Sequence, residues 1–130
     1  MENIVFITIE EVYRLHKGLI EEFGGIHGIR DEGLLDSAIN TPKATFFEQY
    51  LHSDIYEMAA AYAYHIIKNH PFIDGNKRTG IGICVIFLGK NDIWLKMTQE
   101  EFYDLTIKIA TSEISKEEVA EIFREKILKH

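Results

Sequence analysis

The 130-residue chain is poor in the residues that mark several functional classes: it has one cysteine, two prolines and no block of basic residues. A lone Cys84 can form no internal disulfide and builds neither a zinc cluster nor a CxxC redox pair. Such cysteine usage is that of a reducing compartment. With 14 Lys plus Arg against 21 Asp plus Glu, the chain carries a formal charge of -7. It lacks the electrostatic footprint of a phosphate-backbone binder, so direct nucleic-acid binding is not expected. The longest apolar stretch, Ile81 to Leu88, is far short of a membrane span and contains Gly82. No basic segment followed by an apolar run opens the chain, so neither a signal peptide nor a membrane partner is expected, and the expected location is cytoplasmic. Repeats and low-complexity tracts are also missing. What is present is 46% hydrophobic and 12% aromatic residues. At this length that is enough to bury roughly two-thirds of the unfolded surface, which points to one domain over 1–130.

The dominant pattern is helical. Thr8 with Glu11 is a capping box, after which Ile9, Val12, Tyr13, His16, Leu19, Ile20 and Phe23 fall on one apolar face that Gly24-Gly25 ends. Asp31 caps a short second helix with Leu34, Leu35, Ala38 and Ile39 inside, stopped by Thr41-Pro42. Residues 42–52 read as a loop. Ser53-Asp54 with Glu57 opens a third helix carrying Met58, Ala59, Tyr62, Ala63, Ile66 and Ile67, ending near Asn69-His70-Pro71. From Lys77 to Leu88 no polar face remains, as in a central buried helix, and Gly80 and Gly82 suit close approach of a neighbour. Thr98 with Glu101 and Ser115 with Glu118 cap two more helices. Asn3–Ile7 and Ile93–Met97 could be short extended pieces. The expected architecture is all-α, a compact bundle of about six helices, with the Asp74-Gly75-Asn76 connection leading into the buried one.

Polar and special residues concentrate in His70-Pro71-Phe72-Ile73-Asp74-Gly75-Asn76-Lys77-Arg78. A glycine before a helix start leaves backbone N–H groups pointing outward at the positive end of the helix dipole, which makes an anion site. Lys77 and Arg78 in that first turn are unfavourable to the helix itself. A bound polyanion, such as the phosphates of a nucleotide, explains them more simply. Asp74 beside phosphates is what a hard Mg2+ ion takes as its protein ligand. His70, whose imidazole side chain type titrates near neutrality, is suited to take a proton from an attacking hydroxyl. A plain structural reading stands beside this one: His70-Pro71 a helix stop, Asp74 a cap, Gly75 a turn residue, Lys77 and Arg78 solvated surface.

This nonapeptide resembles the active-site motif of the Fic superfamily, His-x-Phe-x-Asp/Glu-Gly-Asn-x-Arg, and in particular that of its death-on-curing (Doc) toxin branch. The likeness extends to Leu15-His16, to the run from Phe23 to Ala38, and to Ala110–Ser115. It implies the Fic/Doc fold, a compact all-α bundle with the motif loop entering a central helix. It further implies His70 as the general base acting on a Ser/Thr hydroxyl, and Phe72 as the buried loop anchor. Asp74 would hold Mg2+ on ATP, with Gly75 and Asn76 lining the anion nest and Arg78 binding phosphate. Lys77 departs from the adenylylating branch, which usually has glycine there and a second arginine where this chain has Ile81. In that respect the motif resembles Doc, which transfers the γ-phosphoryl group and so acts as a kinase on elongation factor Tu, arresting translation. Gly75 departs the other way, since Doc tends to have alanine there. Transfer of AMP therefore stays open as an alternative, as does a catalytically idle binding module.

By the same resemblance the partner would be a separate antitoxin whose disordered segment folds on binding. An inhibitory Ser/Thr-x-x-x-Glu-Gly/Asn helix is not visible in cis, since Met58 follows the nearest match, Ser53 to Glu57. Arg30 falls where the family has a flap that aligns the target, and could equally pair with Glu32 or Asp31. His65 reads as a helix-surface residue and Cys84 as a packed, inert thiol. The mixed charges from Lys116 to Lys129 read as a solvated helix face.

Overall fold

The computed structural model describes residues 3–128, and among these the chain forms six α-helices and one two-stranded hairpin. Helix α1 spans Ile9–Phe23, with Thr8 Oγ1 accepting from the Glu11 N–H and the Glu11 carboxylate accepting from the Thr8 N–H. It ends at Gly24, whose φ of 86° takes the chain into the left-handed region that glycine tolerates. Helix α2 spans Glu32–Asn40 under an Asp31 cap and buries Leu35, Ala38 and Ile39. Helices α3 (Ile55–Asn69), α4 (Asn76–Lys90), α5 (Gln99–Ala110) and α6 (Lys116–Glu125) complete the bundle. Capping boxes open α5 and α6 as their spacing predicts, each worth about 1 kcal/mol. None of these helices is long and apolar enough to cross a membrane.

The centre of the bundle is α3 together with α4. Residues Met58 to Ala63 are all buried, so α3 is enclosed over its middle turns and packs on α2, α4, α5 and α6. Its four alanines, Ala59, Ala60, Ala61 and Ala63, present little bulk, which lets those neighbours approach. Closest is α4 at Gly80, where an added Cβ would sit 2.8 Å from the Ile67 side chain and 3.2 Å from the Ala63 carbonyl oxygen. Helix α4 is less evenly buried than its apolar sequence suggests. Ile83, Cys84, Phe87 and Leu88 are inside, while Ile81, Val85 and Ile86 are half-buried.

The expected loop at 42–52 contains a one-turn 3-10 helix at Thr41–Lys43 and a hairpin pairing β1 (Thr45–Phe46) with β2 (Gln49–Tyr50). Its two-residue turn needs positive φ at both central positions, and Phe47 (50°) and Glu48 (63°) supply it without asparagine or glycine. The usual turn signal is thus missing from the sequence. The N-terminal segment, described from residue 3, forms no helix or strand and is tied to the end of α4, where the Asn91 amide accepts from the Val5 N–H and donates to the Val5 carbonyl, both at 2.9 Å. Phe6 there lies between Tyr50 and Phe87.

Candidate active site

The motif residues form the junction between α3 and α4. His70 ends α3 in the left-handed conformation (φ 49°, ψ 58°), turning the chain away from the helix axis. Gly75 precedes α4, also left-handed at φ 78° and ψ 17°. The first intrahelical bond of α4 runs from the Thr79 N–H to the Gly75 carbonyl at 3.0 Å. The N–H groups of Asn76, Lys77 and Arg78 therefore have no helical acceptor and point out of the helix end, where the dipole adds positive potential. Lys77 and Arg78 are exposed, and among the described residues neither takes part in an ion pair. Arg78 instead lies over the Phe23 ring, 4.2 Å from its centroid.

Between the turns the loop is held rigidly. Phe72 is 1% exposed, and its backbone is gripped by the buried Asn76 side chain, whose Oδ1 accepts from the Phe72 N–H and whose Nδ2 donates to the Phe72 carbonyl. The Asn76 amide is consumed by the loop, so what this residue can offer an anion is its backbone N–H. His16, on the inner face of α1, stacks on Phe72 with ring centroids 3.8 Å apart and donates to the Asp74 carbonyl at 2.8 Å.

The segment following α1 is stitched to the loop from outside. Ile29 pairs with Phe72 in an antiparallel bridge, and the N–H groups of Arg30 and Asp31 both donate to the Pro71 carbonyl. Arg30 reaches neither Glu32 nor Asp31: its guanidinium donates to the carbonyls of Asn69 and His70, each at 2.6 Å. A cation on the last carbonyls of α3 is favourable to that helix. The Asp74 carboxylate is exposed, and each of its oxygens accepts one backbone N–H, from Gly75 at 2.9 Å and Ile26 at 3.2 Å. A carboxylate has lone pairs to spare after two such bonds. Among the described residues no group of three His, Cys, Asp or Glu could hold a metal ion. A single carboxylate beside a phosphate site nonetheless fits Mg2+, which takes one or two protein oxygens and completes its octahedron from phosphate and water.

His70, Asp74, Gly75, Asn76, Lys77 and Arg78 line one open cleft of about 1010 Å³. Its far wall is α5, with the exposed Gln99, Glu100 and Tyr103, the half-buried Phe102 and the buried Thr106, and Leu19 and Phe23 of α1 close the near side. The α5 wall and His16 are the parts that the motif alone does not reveal. His16 left two traces, a polar ring on an otherwise apolar helical stripe and its place in the Leu15-His16 pair of the family resemblance. Nothing in the local pattern of α5 marks its outer face as the side of a cleft.

The remaining titratable groups lie elsewhere. Cys84 is fully buried, and burial pushes its thiol up to about 12, which keeps it an unreactive thiol at neutral pH. His65 is not a free surface residue. It is half-buried with its Nε2 3.5 Å from Lys116 Nζ, and burial, then Lys116 and His52, push its pKa down to about 4. Lys116 thus turns inward from the charged face of α6.

Comparison with known proteins agrees with this geometry. The model of the Fic/DOC family matches residues 6–88. Protein kinase doc of Escherichia phage P1 is 33% identical over 118 residues, covering 91% of this chain and 92% of that protein. Toxin Doc of Mycolicibacterium smegmatis is 33% identical over 100 residues, or 75% of this chain and 77% of the relative.

Proposed function

The chain belongs to the Fic/DOC family, and from that membership we propose that it is a Doc-like toxin, a kinase that transfers the γ-phosphoryl group of ATP to a Ser or Thr hydroxyl of a translation factor. The observation that carries this reading is the meeting, in one cleft, of three outward N–H groups at the start of α4 with His70, Asp74 and the cations Lys77 and Arg78, which enter no ion pair among the described residues. In this reading the N–H groups of Asn76, Lys77 and Arg78 receive phosphate oxygens, and Lys77 and Arg78 balance their charge. Asp74 holds Mg2+, which when bound neutralises charge on the phosphates. His70 accepts the proton of the target hydroxyl as its oxygen bonds to phosphorus, and the bond to the ADP oxygen breaks. Tyr103, exposed on the α5 wall, gives a nucleobase a ring to stack on.

Elongation factor Tu is the target that the resemblance to Doc implies. The partner that restrains the activity is an antitoxin whose disordered segment folds onto this domain, residues 1–130 acting as one unit in the cytoplasm. Support for the kinase over AMP transfer comes from Lys77, which stands where the adenylylating branch usually has glycine, and from Ile81 in place of a second arginine. Gly75 favours the second reading, protein adenylyltransferase, because it matches the adenylylating motif. Mass separates the two. Target incubated with ATP, Mg2+ and this protein gains about 80 Da by phosphoryl transfer and about 329 Da by adenylyl transfer. An adduct of the larger mass alone overturns the kinase reading.

A further inference from the structure

A side chain of α1, outside the nonapeptide, meets the motif loop at Phe72 and Asp74. His16 is 5% exposed, its ring lies on the buried Phe72 ring at an interplanar angle of 8°, and its Nε2 is 2.8 Å from the Asp74 carbonyl oxygen. A Cβ added at Gly75 would stand 3.6 Å from the same ring. A carbonyl only accepts, so Nε2 carries a hydrogen and the ring is present with Nε2 protonated.

That hydrogen bond fixes the peptide unit between Asp74 and Gly75, the last one before the outward N–H groups of α4. The peptide is trans, so holding its carbonyl against α1 sends its N–H the opposite way, to the Asp74 carboxylate at 2.9 Å. The flanking residue is a glycine, which accepts either sign of φ and would not resist rotation of this unit. Rotated by half a turn, the unit would swing its carbonyl away from α1 and withdraw the N–H that orients the metal-binding carboxylate.

We infer that His16 is a positioning residue for phosphate binding, setting the Asp74–Gly75 peptide so that its N–H holds the Asp74 carboxylate in place and its carbonyl oxygen is kept away from the entrance of the nest. The inference rests on the nucleotide-transfer reading of the cleft and adds a residue from α1 to it. His16 touches neither the cleft nor the reacting atoms, and it acts through Phe72 and Asp74.

The test compares the wild type with His16→Phe, which keeps a stacking ring but has no donor, and His16→Gln, which keeps an N–H. Binding of ATP with Mg2+, of inorganic tripolyphosphate and of adenosine is measured for each, and the tautomer of His16 is read in the wild type by 15N NMR. Expected are an Nε2–H ring and an affinity for ATP and tripolyphosphate about tenfold lower in His16→Phe, adenosine binding unchanged, with most of the loss recovered in His16→Gln. Unchanged ATP affinity in His16→Phe overturns the inference, as does an equal loss for adenosine, which would mark general damage to the fold. An Nδ1–H tautomer overturns it too and decides alone if His16→Phe does not fold. A wild type that binds tripolyphosphate, weakens in His16→Phe and transfers no group sinks the transferase reading while sustaining the role of His16. A wild type that binds neither ATP nor tripolyphosphate sinks both.

Discussion

The side-chain amide of Asn76 grips the backbone of Phe72 at both of its polar groups, accepting from the N–H and donating to the carbonyl at 3.0 Å each. Both residues are buried, so neither backbone group has water as an alternative. Asn76→Asp keeps the size but sets a second acceptor against the Phe72 carbonyl. We expect it to cost about 2–3 kcal/mol in urea unfolding and to abolish ATP binding. Retention of wild-type stability would mean that the clasp contributes nothing to the loop.

Two glycines only two residues apart in α4, and so on different faces of the helix, should answer the same substitution differently. At Gly80 an added methyl meets Ile67 and the Ala63 backbone oxygen, and backbone cannot step aside. Gly80→Ala should destabilise by about 1–3 kcal/mol through forced separation of α3 and α4. At Gly82 the nearest atom, 2.7 Å away, is the end of the half-buried Leu15 side chain. That side chain can rotate, and alanine improves helix propensity by about 1 kcal/mol, so Gly82→Ala should unfold at or slightly above the wild-type midpoint.

Stability should fall on mild acidification. Burial, reinforced by Lys116 and His52, holds His65 down at about 4, and burial with Lys116 lowers His52 also, against the opposite pull of Glu57 and Glu117. Both rings have folded-state pKa values below the ordinary 6.5, so on acidification the unfolded chain takes up their protons first. Their contribution is complete above about pH 6.5 and is lost progressively as pH falls from there toward the folded values. His65 is only half-buried and partly screened by solvent, so the loss by about pH 5 should be about 1 kcal/mol. His65→Gln, compared by urea unfolding at about pH 7.5 and about pH 5, should flatten that slope. An unchanged slope would place the acid sensitivity elsewhere.

His70→Asn separates chemistry from scaffold. The side chain is exposed and its backbone is left-handed, a conformation that asparagine adopts more readily than most residues. The midpoint of thermal unfolding should stay within about 2 °C of wild type. Transfer to a target, read by mass, should disappear. A variant that still modifies its target, or a wild type that modifies none and is harmless on expression, would favour the idle binding module.

Most of the helical frame is legible because each helix is marked by local chemistry. Thr8-Glu11, Asp31, Thr98-Glu101 and Ser115-Glu118 place helix starts to the residue, and Ser53-Asp54 with Glu57 places one to within a residue, since a cap is a hydrogen bond between near neighbours. The hairpin at 45–50 was hidden because Phe47 and Glu48 do the work of asparagine and glycine. At the site, the residue types of the motif indicated an anion site at the start of α4. The engagement of the Asn76 amide, the reach of Arg30 to the end of α3 and the inward turn of His65 and Lys116 were not legible. Arg30, His65 and Lys116 meet partners 39 to 51 residues away, which leave no local signature, while the Asn76 amide reaches only four residues back and depends on the backbone path of the loop rather than on residue type.

Apart from the local clasp of Asn76 on Phe72, the bonds that tie the motif loop to the rest of the fold span long stretches of chain: His16 to Asp74 across 58 residues, Ile26 to Asp74 across 48, Arg30 to His70 across 40. Each closes a large loop, and the entropy of that closure must be overcome before the contact is rewarded. A peptide of residues 70–78 would carry every motif side chain but, of their supports, only the local bonds of Asn76 to Phe72 and Gly75 to Asp74. Assembly of the cleft is therefore a late folding event that waits for α1 to dock on α4. Residues 21–28 are exposed throughout, so on opening this segment should separate from the motif loop before the helices part, and amide exchange at Arg30, Asp31 and Ile73 should run ahead of exchange in the middle of α3.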